Sequence, residues 1–305
     1  MLRLIIRRLL LMLPVIFTVA SITFFLLRLA PGSPFANEKA FEPQVIAALN
    51  EKYGLNRPLH VQYFNYLKQL LKADLGPSTR YIGRSVNEII AEHLPHSIKL
   101  GLAAYSIALL VGLPLGILSA VYKHSIIDYL AMAIAVIGVS VPSFVLGPTL
   151  VLIFSLTLFW LPPARWGSLE HLVLPSITLS AAYIAYIARI SRSQMLEVLS
   201  SDYIRTAFAK GLSPWTVITR HALRGATIPV VSFSGPALAL LLTGTIVVER
   251  IFAIPGLGHV FIEAANARDY SVVMGITLFV SIATLIMNLL VDILLGILDP
   301  RISFK

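Results

Sequence analysis

Residue types that support catalysis occur in this sequence, but not at catalytic spacing. His93 and His96 are the nearest histidine pair, and they straddle Pro95 without forming a His-Glu-x-x-His metal site. The sequence has no Gly-x-x-x-x-Gly-Lys-Ser/Thr phosphate loop, no Gly-x-Ser-x-Gly nucleophile elbow and no cysteine. We therefore predict no cofactor and no resident metal. An intramembrane hydrolase stays open as an alternative that no motif supports.

The basic stretch 189–224 indicates a binding role, the recognition of a protein or of an anionic surface. Ser200, Ser201 or Asp202 can cap a short helix, and Gly211 can end that helix in a left-handed turn. A basic loop that rests on anionic headgroups is the alternative explanation of the same composition.

A second short helix is predicted directly after Gly211. Ser213 and Pro214 have the N-cap and N1 chemistry of a helix start, so two short helices would meet at a tight glycine corner. Small residues that would admit another surface at this corner are Ala207, Ala209 and Gly211. An apolar face would be formed by Trp215, Ile218 and Ala222.

The composition places these segments in a membrane protein. Of the 305 residues, 57% are hydrophobic and 13% are charged, and the mean hydropathy is +0.83. A soluble domain carries about 25% charged residues. The net charge of +9 is distributed between apolar blocks instead of forming one basic face, which argues against a nucleic-acid partner.

Six stretches without Asp, Glu, Lys or Arg are long enough to cross a bilayer, because a spanning helix needs about 20 apolar residues. They are 9–27, 100–122, 129–164, 172–188, 225–248 and 271–291. The third is too long for one span and too short for two, so we predict one long helix, kinked at Pro142, with a non-helical exit at 161–163. The first is too long for a cleaved signal peptide and is predicted to remain as an anchor.

Cations in the short loops predict the orientation. An even number of spans puts both chain ends on one side, and most of the Lys and Arg of the short loops lie on that side. Only Arg165, Arg250 and Arg268 lie in the short loops of the opposite side. The positive-inside rule therefore places both termini in the cytoplasm.

The outer segment 31–93 is predicted to be helical but too poor in apolar residues for a core of its own. Helices are expected at 42–53 and after Pro58, and Ser85 with Glu88 forms a capping box for a short helix that Pro95 interrupts. A docking surface for an external partner and a lid over the membrane bundle are equally good explanations of this segment.

The spans carry no ionisable residue near their centres, which argues against ion-coupled transport and indicates an energy source outside this chain. Charged residues at span ends, where they are expected to reach headgroups or water, are Asp128, Arg189, Glu249 and Asp292. An uncharged translocation path is suggested by Ser234, Pro236, Thr243 and Thr245, which ordinary helix packing explains equally well. Gly112 and Gly116 permit close helix approach, and packing within the chain is favoured over dimerisation.

The basic stretch resembles the cytoplasmic coupling loop, or EAA loop, of ABC importer permeases, in the form typical of dipeptide and oligopeptide transporters. Arg205 stands at the position of the family's glutamate, so the motif reads Arg205-Thr206-Ala207, followed by Gly211. Further matching stretches extend over nearly the whole chain: Arg28-Leu29-Ala30-Pro31-Gly32, Tyr53-Gly54-Leu55, Val141-Pro142-Ser143-Phe144, Pro255-Gly256-Leu257-Gly258, Arg268-Asp269-Tyr270 and Asp299-Pro300-Arg301.

The resemblance implies an all-α permease of a type I importer for oligopeptides in the bacterial inner membrane. Implied partners are a second, related permease in a heterodimer, two cytoplasmic ABC ATPases and a periplasmic or lipid-anchored peptide-binding protein. The ATPase-coupling residues it implies are Asp202, Arg205, Thr206, Ala207, Gly211, Pro214, Trp215, Arg220 and Leu223.

The expected organisation is an N-terminal transmembrane helix at 1–30, a periplasmic segment at 31–93, a permease domain at 94–293 with a coupling loop at 200–224, and a cytoplasmic tail at 294–305. The same machine with dipeptides, nickel chelates, glutathione or antimicrobial peptides as cargo is the alternative within transport. A scaffold or receptor is a third class.

Overall fold

The structure, a computed structural model, describes residues 2–29 and 43–298, with side chains described for 5–29 and 44–298. Within those ranges all regular elements are helices, apart from one isolated bridge between Pro77 and Ser85. The predicted all-α class is confirmed. Residues 30–32 of one matching stretch and the whole of the stretch 299–301 lie outside the described residues, as does Glu42.

The helices are α1 (Leu2–Leu29), α2 (Pro43–Lys52), α3 (Leu59–Leu70), α4 (Val86–Val121), α5 (Ile126–Ser140), α6 (Ser143–Leu150), α7 (Glu170–Leu199), α8 (Asp202–Ala209), α9 (Pro214–Thr216), α10 (Leu223–Leu242), α11 (Ile246–Ile251), α12 (Leu257–Asn266) and α13 (Tyr270–Leu298). Two π-helical segments, Val151–Thr157 and Val217–Ala222, continue α6 and α9 respectively.

Candidate membrane spans account for most of the predicted stretches. In the described ranges, five helical segments are long and apolar enough to cross a membrane: Ile5–Leu29, Val86–Val121, Glu170–Leu199, Pro214–Ile251 and Tyr270–Leu298. A bent pair, α5 with Ser143–Thr157, completes six if it counts as one span, and the helix direction changes by 104° at the break.

The prediction of one long kinked helix at 129–164 is wrong, because the chain breaks between Ser140 and Ser143. Val141 has an extended backbone with ψ at 115°, since the ring of Pro142 disfavours a helical conformation in the preceding residue. The predicted non-helical exit at 161–163 is confirmed.

The capping box at the start of α4 is confirmed, but the predicted interruption at Pro95 is wrong. The Ser85 side chain accepts a hydrogen bond from the backbone N–H of Glu88, whose carboxylate accepts one from the N–H of Ser85. The helix then continues through Pro95 and Pro114 to Val121. In a bundle, neighbouring groups can satisfy the backbone carbonyls that a proline leaves free.

Close contact between α4 and α7 organises the centre of the bundle. A Cβ atom added to Gly112 would lie 2.9 Å from the carbonyl oxygen of Ile184, and one on Gly116 would overlap the carbonyl of Ala188. Only glycine allows the two backbones to approach this closely. The two glycines therefore serve packing within the chain, as predicted.

Two contacts establish which helix ends lie together. Arg8 of α1 forms an ion pair with Asp292 of α13 at 2.8 Å, and Arg224 at the start of α10 donates to the carbonyl of Leu298 at 2.6 Å. The N-terminal part of α1, the C-terminal part of α13 and the beginning of α10 therefore share one end of the bundle.

The predicted helices of the outer segment are confirmed as α2 and α3, and Asp269 holds this segment against the opposite end of the bundle. The Asp269 carboxylate is fully buried and accepts hydrogen bonds from the hydroxyl of Ser78 and the backbone N–H groups of Thr79 and Arg80. It also accepts from the N–H of Val272 at 3.2 Å, in the first turn of α13.

Candidate coupling segment

The predicted first short helix is α8, which follows α7 after a two-residue turn. Ser201 is its N-cap residue by backbone geometry, but its hydroxyl donates to the carbonyl of Val198 and caps no N–H group. Ser200 likewise donates to the carbonyl of Glu197 at 2.7 Å. The serines therefore join α8 to the end of α7, and Asp202 supplies the negative charge that favours a helix N-terminus.

One face of α8 is anchored in the protein. Ile204 is fully buried and Ala207 is 6% exposed, and both belong to an apolar cluster with Met195 of α7. The cluster also includes Val217 from the π-helical segment before α10. Ala207 therefore contacts this chain's own core instead of admitting another surface, which corrects its predicted role, whereas Ala209 and Gly211 are exposed.

The glycine corner has the predicted backbone geometry. Gly211 has φ at +77°, and its N–H donates to the carbonyl of Phe208 at 2.9 Å. A Cβ atom at this position would meet nothing within 4 Å, so backbone conformation and not space favours glycine here. Ser213 then caps the next helix by accepting from the N–H of Thr216, with Pro214 at the first helical position.

The second helix is not short, and this part of the prediction is wrong. From Pro214 the helix runs through the π-helical segment Val217–Ala222 into α10, as part of the candidate span Pro214–Ile251. None of the described residues between Gly211 and Gly244 has a positive φ, so no left-handed residue ends the helix in this interval. The corner is therefore directly continuous with a membrane helix.

The outward surface of this segment is basic and partly aromatic. The side chain of Arg205 is 74% exposed and lies 3.4 Å from the carboxylate of Asp202, which is itself 96% exposed. Trp215 is also 74% exposed, so it does not share an apolar face with the buried Ala222 as predicted. Other exposed residues of this surface are Tyr203, Thr206, Phe208, Lys210, Arg220 and His221. Leu223, by contrast, is half-buried.

A buried ion pair behind this surface was missed from the sequence. Asp128, expected to reach headgroups or water, is 3% exposed, and it accepts hydrogen bonds from Arg192 Nε at 2.8 Å and from the backbone N–H of His124 at 3.0 Å. The hydroxyl of Ser119 also donates to it. The pair connects α4, α5 and α7. The only sequence signal was an acid at the start of an apolar run, which does not identify its partner.

Glu249 is likewise buried, which corrects the expectation that it reaches headgroups or water. It accepts from the hydroxyl of Ser97 at 2.8 Å and from the backbone N–H groups of His259 and Thr245. A Cβ atom on Gly256 would overlap its carboxylate. The sequence signal for this buried site was the Pro255-Gly256-Leu257-Gly258 stretch, since glycines often mark close approach of a backbone to another group.

The predicted path residues do not share one environment. The Ser234 hydroxyl is half-buried, accepts from the hydroxyl of Tyr105 and donates to the carbonyl of Val230 at 2.8 Å. Thr243 is buried, and its hydroxyl donates to the carbonyl of Ala239. Thr245 is half-buried, and Pro236 lies on an exposed face of α10 together with Ser232 and Leu240.

Comparisons with known proteins agree over the whole chain. Residues 112–304 match the model of the family described as binding-protein-dependent transport system inner membrane component, and residues 1–100 match the model of its N-terminal region. Similar proteins include the oligopeptide transport system permease protein OppB of Haemophilus influenzae, 47% identical over 100% of both chains, and OppB of Escherichia coli, 46% identical over 100% of both. The dipeptide transport system permease protein DppB of Bacillus subtilis is 45% identical over 99% of this chain and 98% of its own.

Among solved structures, the MetNI methionine ABC transporter in an inward-facing conformation is similar with a TM-score of 0.55 and 17% sequence identity. The likeness covers 69% of this chain and 96% of that chain. Identity this low shows the fold alone, which is the type I ABC permease fold predicted above.

Proposed function

Because this chain belongs to the family of binding-protein-dependent transport system inner membrane components, we propose that it is the membrane-spanning permease subunit of an ATP-binding-cassette importer for oligopeptides. Full-length similarity to permeases of oligopeptide and dipeptide transport systems supports a peptide cargo. The observation that carries the proposal is the corner at Gly211, which joins the exposed, basic α8 to a helix continuous with α10.

The packing of α8 supports a mechanical role in coupling. Ile204 and Ala207 contact a cluster that includes Met195 of α7 and Val217 at the base of α10. A partner that pushes on the exposed side of α8 therefore displaces two candidate spans at once, because a packed core transmits displacement instead of absorbing it. Coupling residues proposed on this basis are Asp202, Arg205, Thr206, Ala207, Gly211, Pro214, Trp215, Arg220 and Leu223.

The charge of this surface supports a docking groove of opposite sign on the partner. Arg205, Lys210 and Arg220 are exposed, and Asp202 is the one exposed acid of α8. Guanidinium groups pair with carboxylates in bidentate geometry, and the exposed ring of Trp215 adds an anchor suited to an apolar pocket. Two cytoplasmic ATPases with acidic, partly apolar clefts fit this surface better than a lipid layer, which does not require a glycine corner.

The assembly that we propose contains a second, related permease in a heterodimer and an external peptide-binding protein, while the ATPases hydrolyse ATP and this chain has no catalytic role. Ser234, Pro236, Thr243 and Thr245 remain proposed path residues, with Pro236 on the exposed face. The chain divides into a first helix at 1–30, an outer segment at 31–93, a permease domain at 94–293 and a tail at 294–305.

We place both termini in the cytoplasm. The contacts Arg8–Asp292 and Arg224–Leu298 support a common end for the beginning of α1, the end of α13 and the coupling segment. The bent α5–α6 pair then makes one crossing, and the excess of cations at this end matches the cytoplasmic side. Dipeptides are the second candidate cargo, supported by the 45% identity with the Bacillus subtilis dipeptide permease.

The proposal is tested by affinity purification of the tagged chain in mild detergent from cells that express its own operon, followed by ATPase and peptide-uptake assays in proteoliposomes. The test variant is Gly211→Val, and the matched control is Gly83→Val, which has a φ of +85° and equally open surroundings at the other end of the bundle. We expect Gly211→Val to lose uptake and stimulated ATPase activity, while Gly83→Val keeps an associated ATPase. A chain that purifies without an ATPase, or a Gly211→Val complex that imports peptide normally, would contradict the proposal.

A further inference from the structure

A cavity of about 250 Å³ lies at the end of the bundle opposite the coupling segment. It is enclosed by the last turns of α1, the outer helices α2 and α3, and the first turns of α13. The residues that matter for its chemistry are Phe24, Arg28, Gln62, Tyr66 and Tyr270. Its volume is below the range of about 300 to 1,000 Å³ that is typical of drug-sized ligands, so it suits a small polar group.

Arg28 contributes a guanidinium group to the cavity, which Glu51 and Lys52 also line. Its guanidinium lies over the rings of Phe24 and Tyr270, with Cζ 5.5 and 5.8 Å from the ring centres. Its Nε is buried without a hydrogen-bond acceptor, and among the described residues no carboxylate forms an ion pair with it. A cation in this position normally has an anionic partner, because desolvating an unpaired charge is costly.

Tyr66 adds a hydrogen-bond donor for which the described residues supply no acceptor. The residue is 7% exposed, and its ring stacks on Phe24 with centres 5.5 Å apart and planes at 21°. Its hydroxyl is buried and has no hydrogen-bond partner among the described residues. Burial raises the pKa of Tyr66 to about 12, so the hydroxyl keeps its proton at neutral pH and remains a donor.

Gln62 presents the complementary group, an acceptor to which none of the described residues donates. Its amide nitrogen donates to the carbonyls of Leu55 and Arg57, at 3.1 and 2.7 Å. This leaves the carbonyl oxygen Oε1 buried without a partner in the described part of the chain. Most buried polar side-chain atoms are hydrogen-bonded, so three buried polar atoms without a partner in the described chain, grouped around one cavity, are suited to bind a small polar group.

We infer that this cavity binds the headgroup of a glycerophospholipid whose head carries a hydrogen-bond donor, such as ethanolamine or glycerol. Arg28 and Tyr66 would donate charge-assisted hydrogen bonds to the anionic phosphate, and Gln62 Oε1 would accept from the ammonium or hydroxyl group.

The surroundings favour a lipid over a soluble anion. Arg28 stands at the end of the candidate span Ile5–Leu29, at the depth where headgroups lie. The neighbouring side chains of Leu26 and Leu29 are 63% and 77% exposed, and Phe64 of α3 is 66% exposed. Acyl chains attached to a bound headgroup would contact this apolar surface. The inference does not depend on the cargo or on the coupling role proposed above.

The test uses the purified full-length protein, stripped of lipid in detergent, with added short-chain phosphatidylethanolamine, phosphatidylglycerol or phosphatidylcholine. Binding is measured as the rise in unfolding temperature with lipid concentration and as retained lipid mass in native mass spectrometry. The variants are Arg28→Gln and Tyr66→Phe, and the control is Arg250→Gln, an exposed arginine of α11. We expect the ethanolamine and glycerol lipids to bind more tightly than the choline lipid, and Tyr66→Phe to weaken their binding about tenfold.

Arg250→Gln should bind lipid like the wild type, and Arg28→Gln should weaken binding further than Tyr66→Phe. Because Tyr66→Phe removes only an orphaned hydroxyl, it decides the question even if Arg28→Gln does not fold. Equal binding of all three lipids, or unchanged lipid binding by Tyr66→Phe, would overturn the inference. It would also be overturned if a tripeptide with a free C-terminal carboxylate displaced the lipid while the same tripeptide with an amidated C-terminus did not.

Discussion

Arg192 forms an ion pair with the buried carboxylate of Asp128, with Nε and Nη2 of the arginine 2.8 and 2.9 Å from the two carboxylate oxygens. The pair joins the start of α5 to α7. Arg192 lies three residues before Met195, which belongs to the same apolar cluster as Ile204 of α8. The α4–α5 turn, the end of α7 and α8 are therefore held as one unit, and movement of α8 is expected to reach the bent α5–α6 pair.

Breaking this pair is expected to destabilise the protein. Arg192→Met leaves Asp128 charged and buried, and we expect a loss of about 3 kcal/mol in unfolding free energy, at the low end for buried pairs because the Arg192 side chain is 27% exposed. Thermal unfolding of the purified complex measures the change. Arg205→Met is the control, since its pair with Asp202 is exposed and is expected to contribute less than about 0.5 kcal/mol. Equal effects of the two substitutions would contradict the unit described above.

The backbone of Gly211 predicts a graded series of substitutions. Asparagine adopts the left-handed conformation readily, whereas valine does not. Because a Cβ atom at this position meets nothing within 4 Å, steric overlap contributes no difference between the two. We expect Gly211→Asn to keep peptide-stimulated ATPase activity and Gly211→Val to lose it, measured in proteoliposomes. Equal activity of both variants would show that the left-handed turn is not required.

The exposed surface of the coupling segment is expected to determine ATPase binding without contributing to folding. Arg205→Glu reverses a charge that is 74% exposed, so the unfolding temperature should stay within about 1 °C while the co-purified ATPase decreases and recovers only weakly at low salt. Trp215→Ala should weaken association through loss of an apolar anchor. Lys68→Glu, an exposed charge reversal on α3, is the matched control and should retain the ATPase.

Glu249 is expected to hold the turn between α10 and α12 together. Glu249→Gln replaces a carboxylate oxygen by an NH₂ group facing the N–H donors of Thr245 or His259, and we expect a loss of about 2 kcal/mol in stability. Gly256→Ala should be more damaging, because its Cβ would overlap the carboxylate. Gly147→Ala is the control, since its Cβ would be in ordinary contact with Phe252 at 3.4 Å. We expect the unfolding temperature to be highest for the Gly147→Ala control, lower for Glu249→Gln and lowest for Gly256→Ala.

Local sequence signals predicted the elements that depend on neighbours in the chain. The capping box at Ser85 and Glu88, the helix start at Ser213 and Pro214 and the left-handed turn at Gly211 all follow from backbone requirements within a few residues. The apolar stretches predicted the spans, because each must satisfy its own backbone hydrogen bonds in lipid. These features need no knowledge of distant parts of the chain.

Tertiary structure decided whether a proline interrupted a helix and whether a charged side chain was buried. Two prolines of this chain had opposite effects. Pro95 lies inside a continuous helix, whereas Pro142 breaks one and the chain turns by 104°. Asp128 and Glu249 looked like residues of span ends, yet both are buried, because Arg192 and Ser97, which are far away in sequence, and nearby backbone N–H groups bind their carboxylates. The chain's local composition determined that it is a helical membrane protein with a basic corner. The partners of its buried charges, the path of its broken span and the cavity beside Arg28 depend on which helices pack together, since those contacts join residues that are distant in sequence.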